Sequence, residues 1–171
     1  MKRNIGIGLA ILIGLFPTIS KAQFDNGSGI IGPHVGISNV TRATVLGIKF
    51  ETGIAQIGTG VIGLDGTVDY YSFNGGDFGS QSYIFFIVSA LYHLRIDDGS
   101  FDPFIGIGAG YLSERNTFLP VSGITYYNTD GSGFRPVISI GARYFLSRSI
   151  AIRLEFGTAL VYAVGGVDFG F

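Results

Sequence analysis

Cysteine and tryptophan are both missing from this chain of 171 residues, and only 13% of its residues are charged. Without cysteine there is no disulfide framework, no thiolate zinc site and no cysteine nucleophile. A lipoprotein anchor is excluded on the same ground, because it needs a cysteine at the cleavage point. Beyond residue 22, no apolar stretch approaches the roughly 18 uninterrupted residues that a membrane-crossing helix requires. Positive charge is scarce as well. Three of the 11 basic residues lie within residues 1–22, where there is no acid, which leaves 8 basic and 12 acidic residues in the remainder. That balance lacks the basic footprint of a nucleic-acid binder.

What is abundant points the other way. Hydrophobic residues make up 47% of the chain, with 28 Gly, 15 Phe and 9 Tyr, and the mean hydropathy is +0.44. Much glycine with many aromatics favours strands and tight turns over helices. A water-soluble globule of this composition would expose patches that aggregate.

The first segment is an address. Lys2 and Arg3 precede an unbroken run of apolar residues and glycine from Ile5 to Phe16. Pro17 ends the run, and Ser20 and Ala22 place small residues at −3 and −1 of a cut before Gln23. We therefore divide the chain into a signal peptide, 1–22, of the kind used in bacterial secretion, and one domain, 23–171, without a linker or second domain.

That domain alternates. Eight segments, near 29–39, 43–52, 60–73, 82–96, 103–114, 134–146, 149–158 and 161–171, put large apolar residues at every second position and small or polar residues between them. Strand three sets Ile62, Leu64, Val68 and Tyr70 against Asp65, Thr67 and Asp69; strand six sets Ile138, Ile140, Ala142 and Tyr144 against Arg135, Ser139 and Arg143. The charges decide what this pattern means. Lys49, Arg95, Arg135, Arg143 and Arg153 lie on the polar faces together with Glu51, Asp65, Asp69, Glu155 and Asp168, and no charge falls on an apolar face within a strand. A soluble barrel would have apolar residues inside and polar ones outside. Lipid demands the reverse, since Arg or Lys facing mid-bilayer hydrocarbon costs about 2–4 kcal/mol. The expected fold is all-β: an eight-stranded antiparallel up-and-down transmembrane barrel.

Eight strands enclose a lumen wide enough only for side chains. The five bases and five acids named above are expected to fill it as an ion-pair network, giving a plug rather than an open pore. The glycines of strand five, Gly106, Gly108 and Gly110, are expected to make room for Arg or Tyr side chains of neighbouring strands. Tyr70, Tyr92, Tyr111, Tyr144 and Phe171 fall near strand ends, where interfacial aromatic girdles sit. With both termini in the periplasm, tight turns fall near 53–59, 97–102 and 146–149, and the longest outer loop spans 115–133.

The signal peptide, the eight alternating strands and the terminal Phe171 resemble the small outer-membrane barrels of the OmpX and OmpA transmembrane-domain type. The stretches FDPFIGIGAGYL at 101–112 and FRPVISIGARYFLS at 134–147 are similar to the OMP beta-barrel domain family common in Bacteroidetes. The resemblance implies residence in the outer membrane of a Gram-negative bacterium and a last strand, through Val167, Phe169 and Phe171, that is recognised by the barrel assembly machinery. It specifies architecture and leaves activity open.

Several motifs invite a sharper reading. His34 and Ser38 suggest the lipid A deacylases, eight-stranded barrels carrying His, Ser and Glu on the wall. Four strand residues span roughly 13 Å, too far for a nucleophile and its base, so a triad would need His93 instead; hydrogen-bonded interior histidines are the expectation. Asp65 and Asp69 share a face and could hold a metal or do acid–base work; partnership with Arg95, Arg143 or Arg153 is expected. Gly106–Gly110 is no phosphate loop, because no helix follows. Asn39-Val40-Thr41 is a formal glycosylation sequon with little weight in a bacterial chain. In the long loop Phe118, Tyr126 and Tyr127 suit recognition. The leading expectation is a monomeric structural or interaction protein that contacts outer-membrane lipid and the assembly machinery, with no cofactor, no metal, no nucleic-acid partner and no catalysis. A narrow pore for small solutes and a lipid A-modifying enzyme are the alternatives.

Overall fold

In the computed structural model every strand is hydrogen-bonded to the one before it, and the last returns to the first. The structure describes residues 24–38, 42–74, 80–96, 99–117, 131–157 and 161–171. The expected signal peptide with its cut site, the sequon at 39–41 and the loop aromatics Phe118, Tyr126 and Tyr127 lie outside them. The elements are β1 (Gly29–Ser38), β2 (Thr44–Ile57), β3 (Gly60–Asn74), β4 (Ser80–Leu94), β5 (Phe101–Thr117), β6 (Gly133–Ser147), β7 (Ile150–Gly157) and β8 (Val161–Gly170). They form one closed antiparallel barrel in chain order. No helix among the described residues is long and apolar enough to cross a membrane.

The last residue extends the β1–β8 ladder that closes the barrel. Gly29 and Phe171 exchange backbone bonds, Gly29 N–H to Phe171 O at 3.0 Å and Phe171 N–H to Gly29 O at 2.9 Å. The Phe171 ring lies where a Cβ on residue 29 would stand, so a larger residue there would have to push the ring aside. The ring's centroid is 6.3 Å from that of Phe50 on β2, so the terminal aromatic spans the seam.

The two ends of the barrel differ. At the end holding both described termini, the chain turns tightly at Gly58–Thr59 and Arg148–Ser149, the first with a left-handed Gly58 (φ 59°). At the opposite, loop end the wall has unequal height: β3, β4 and β6 have 15 residues and β5 has 17, whereas β7 has 8 and β1 and β8 have 10. One side of the barrel therefore rises above the other.

The period-two pattern sends alternate residues outward. Ile107 is 67% exposed, and Leu46, Val88, Ile105, Ile138, Ile140 and Leu154 stand beside it on the open face. In water this belt would be a large liability; hydrocarbon is the solvent it suits. The outer face is less free of charge than expected, because β5 runs to Thr117 and carries exposed Arg115 outward on the raised side. That position lies beyond the apolar belt, where water can hydrate it.

Candidate functional site: the layered lumen

The inward face of β3 gives the order of the interior. From the terminus end it presents Val61, Gly63, Asp65, Thr67, Asp69 and Tyr71. Apolar residues stand at both ends and charge in the middle, and the neighbouring strands repeat the scheme. Near the termini, Phe24, Ile30, Val61, Phe145 and Ala151 form one apolar cluster. Near the loops, Val45, Tyr71, Tyr83, Phe85, Leu112, Val137 and Val161 form another, in which the Tyr71 and Tyr83 rings stack at 4.6 Å. Between them lies an ionic layer.

Arg143 is the hub of that layer. It is fully buried. It donates from Nε to Asp168 at 2.6 Å, binds Glu51 through Nη2 and approaches Asp102 at 3.5 Å. Its guanidinium carbon lies 5.1 Å from the centre of the Phe104 ring, so an aromatic face covers what carboxylates do not. Arg153 donates from Nε to Asp168 at 3.1 Å and from Nη1 to Glu155 at 2.9 Å. Lys49 reaches Glu155 at 2.7 Å and Asp65 at 3.6 Å. Glu51, Asp65, Asp102, Glu155 and Asp168 thus each face a Lys or Arg supplied by a different strand, which is how charge survives out of water. Glycines leave the space for this: a Cβ at Gly47 would collide with the His34 and Asp69 side chains, and one at Gly63 with Glu51.

The two histidines belong to the layer. His34 Nε2 lies 2.6 Å from Asp69 Oδ1 while Arg153 Nη2 donates towards Nδ1 at 3.4 Å; this pattern assigns the ring proton to Nε2. His93 stands between two carboxylates, with Nδ1 2.9 Å from Asp102 Oδ1 and Nε2 2.5 Å from Glu51 Oε1. The second contact has ion-pair distance but not hydrogen-bond alignment. Neither imidazole addresses a hydroxyl in any of these contacts, so no nucleophile is activated by them. Both rings face the lumen and are buried. No group of three His, Cys, Asp or Glu among the described residues is arranged to hold a metal ion. A cavity of about 50 Å³, lined by His34, Asp65, Asp69, Ser89, Val137 and Arg153 among others, is polar and roomy enough to hold water.

Of the ten charged residues assigned to the lumen from the sequence, the structure brings eight together: Lys49, Glu51, Asp65, Asp69, Arg143, Arg153, Glu155 and Asp168. Arg95 and Arg135 stand apart. Strand β4 ends at Leu94, so Arg95 leaves the wall at the terminus-end mouth and pairs there with Asp25. Arg135 has inward parity but sits on the raised loop-end side, exposed, and donates to the Gly131 and Phe134 carbonyls. The expected arginine partners of the aspartate pair are also corrected: Asp69 takes His34, and Asp65 takes Lys49 and Thr67. Strand shear decides such meetings, and parity does not report it. The glycines of β5 make room for different neighbours from those expected. A Cβ at Gly106 would meet Leu91 and Ser139, at Gly108 Ser89, and at Gly110 Phe85.

Asp102 was hidden within an expected turn. The acidic, glycine-containing stretch Asp97–Ser100 masks the start of β5 at Phe101, which makes Asp102 the first inward residue of that strand. The signal was present in the alternation of Asp102, Phe104 and Gly106 with Phe101, Pro103 and Ile105.

No protein-family model matches this chain, and no curated protein does. Solved structures do. A de novo designed transmembrane beta-barrel aligns with a TM-score of 0.59 at 15% identity, over 87% of this chain and 99% of that one. Ail, the attachment invasion locus protein of Yersinia pestis, solved with the heparin analogue sucrose octasulfate, gives 0.57 at 10% identity over 86% and 100%. The outer membrane protein OprG from Pseudomonas aeruginosa gives 0.56 at 12% identity over 87% and 98%. A likeness at such low identity is one of architecture, and the architecture this chain shares is that of the small eight-stranded outer-membrane barrels.

Proposed function

We propose that this protein is a monomeric integral barrel of the Gram-negative outer membrane, exported by the signal peptide at 1–22, whose role is structural and interactive. It anchors in lipid by its apolar belt and meets its partner at the loop end. The observation that supports this reading is the ionic layer with an apolar cluster on either side of it, which on this reading leaves solutes no path. The raised wall adds to it. Strands β3 to β6 lift Phe73, Glu114 and Arg135 on their inner face above the short side, and Phe118, Tyr126 and Tyr127, between β5 and β6 in the sequence and outside the described residues, are the proposed partner contacts. Val167, Phe169 and Phe171, all exposed on the outer face, are the proposed recognition signal for the assembly machinery.

The test is reconstitution of the full chain in planar bilayers after outer-membrane fractionation. We expect the protein in the outer-membrane fraction and no conductance steps. Stable steps would overturn the sealed-lumen reading, and recovery in the soluble fraction would overturn the membrane assignment. Deleting Phe171 should sharply lower the folded yield in the outer membrane; an unchanged yield would refute its role as a signal.

A further inference from the structure

The segment before β1 is polar and open except at one residue. Asp25, Asn26 and Gly27 are exposed, whereas Phe24 is 1% exposed. Its ring enters the terminus-end mouth, 4.4 Å from the His93 ring and 5.6 Å from the Arg143 guanidinium carbon, and packs with Ile30, Val61, Phe145 and Ala151. Phe24 is therefore the apolar lid over the two side chains at the centre of the ionic layer.

The rest of the segment is fastened to the rim. Gly27 N–H donates to Gly53 O at 2.8 Å, and Gly53 N–H to Ser28 O at 3.0 Å. A turn closed by Ser28 Oγ donating to Asp25 O at 2.6 Å, with a left-handed Gly27 (φ 84°), brings the chain round. Asp25 pairs with Arg95. The wall is shaped for the segment: β2 is irregular between Gly53 and Ala55, and a Cβ at residue 53 would strike the Asp25 carbonyl. The fastenings to the wall are two backbone bonds at Gly53 and one exposed ion pair, few beside the continuous ladders of the wall, so the segment can open while the barrel stays folded.

We infer that residues 24–28 are a displaceable stopper, with Phe24 as its head, that controls access of water and small ions from the terminus end to the ionic layer. The loop-end cluster is untouched by its release, so an open stopper exposes the layer from one side without making a through-channel. This goes beyond the sealed-lumen reading and fails separately from it.

The absence of native cysteine gives a clean test in the full-length protein. Ala151→Cys places a thiol in the apolar cluster that Phe24 belongs to, and Val45→Cys places one in the loop-end cluster. Each is exposed to a small charged methanethiosulfonate while the barrel is folded. In the native background both thiols should be protected. Adding Phe24→Ala should speed labelling at Ala151→Cys by about tenfold or more, as loss of a buried ring opens the mouth, and leave Val45→Cys protected. Gly53→Ala, which removes no apolar bulk and only crowds the Asp25 carbonyl, should produce a smaller rise at the same site, and it decides the matter if Phe24→Ala does not fold. Unchanged labelling at Ala151→Cys in both backgrounds would overturn the stopper. So would a parallel rise at Val45→Cys, which would mean that the whole barrel had loosened. Conductance should stay absent in every folded variant.

Discussion

The ionic layer and the loop-end cluster are equally buried and share the same walls, yet they are built from opposite chemistry. Val45, Phe85 and Leu112 fill their level by shape, with Tyr71 packed among them. Arg143, Arg153, Lys49 and their acids fill theirs by reciprocal charge. The comparison teaches what each level is sensitive to. An apolar level loses contacts in proportion to the volume removed. An ionic level is sensitive to imbalance, because removing one partner strands the others without water.

The sharpest way to break the comparison is Arg143→Ala. It leaves Glu51, Asp102 and Asp168 short of their shared cation, and we expect a loss of about 3–5 kcal/mol in urea unfolding of the reconstituted barrel. Phe85→Ala, the equivalent truncation in the apolar level, should cost about 3 kcal/mol with no change in the folded wall's strand content by circular dichroism. A double-mutant cycle sharpens the contrast. Glu51→Gln and Arg143→Met should show a coupling above roughly 1 kcal/mol, whereas Val45→Ala and Arg143→Met, in different levels, should add within about 0.5 kcal/mol. The smallest effect belongs to Arg95→Ala. Its pair with Asp25 is solvent-exposed, and such pairs contribute about 0–1 kcal/mol; a larger loss would mean that the mouth is more tightly coupled to the wall than its geometry indicates.

How far these levels could be foreseen differs with their chemistry. Strand alternation is a local property, so the face of Lys49, Arg143 or Ile107 can be read from its immediate neighbours. The expected strands match the observed eight, with β2 and β5 longer because their arms remain paired after the alternation weakens near Gly53 and beyond Glu114. Which acid meets which base is not local. Lys49 and Glu155 are 106 positions apart, and only the shear of the closed barrel brings them to one height. The apolar levels were harder still. Inward Tyr71, Phe85 and Leu112 look like interruptions in a polar face until closure shows that they meet. Phe24 carries almost no signal, being one apolar residue in a polar segment. The expected distribution of roles for Arg95 and Arg135 failed for a simple reason: parity gives the face and says nothing of height.

The unequal strands have a consequence for the surroundings. A bilayer-crossing strand takes about 9–11 tilted residues; β8 and β1, with 10 described residues each, just meet that span at the seam, while β4 and β5, with 15 and 17, exceed it. Lipid beside the seam meets the lower apolar face, at a cost of fractions of a kcal/mol per Å of mismatch, while lipid beside β4 and β5 does not. In a membrane the protein would thus carry a lopsided dent, shallowest where the final strand closes on the first, and neighbours that favour thin bilayer would collect on that flank.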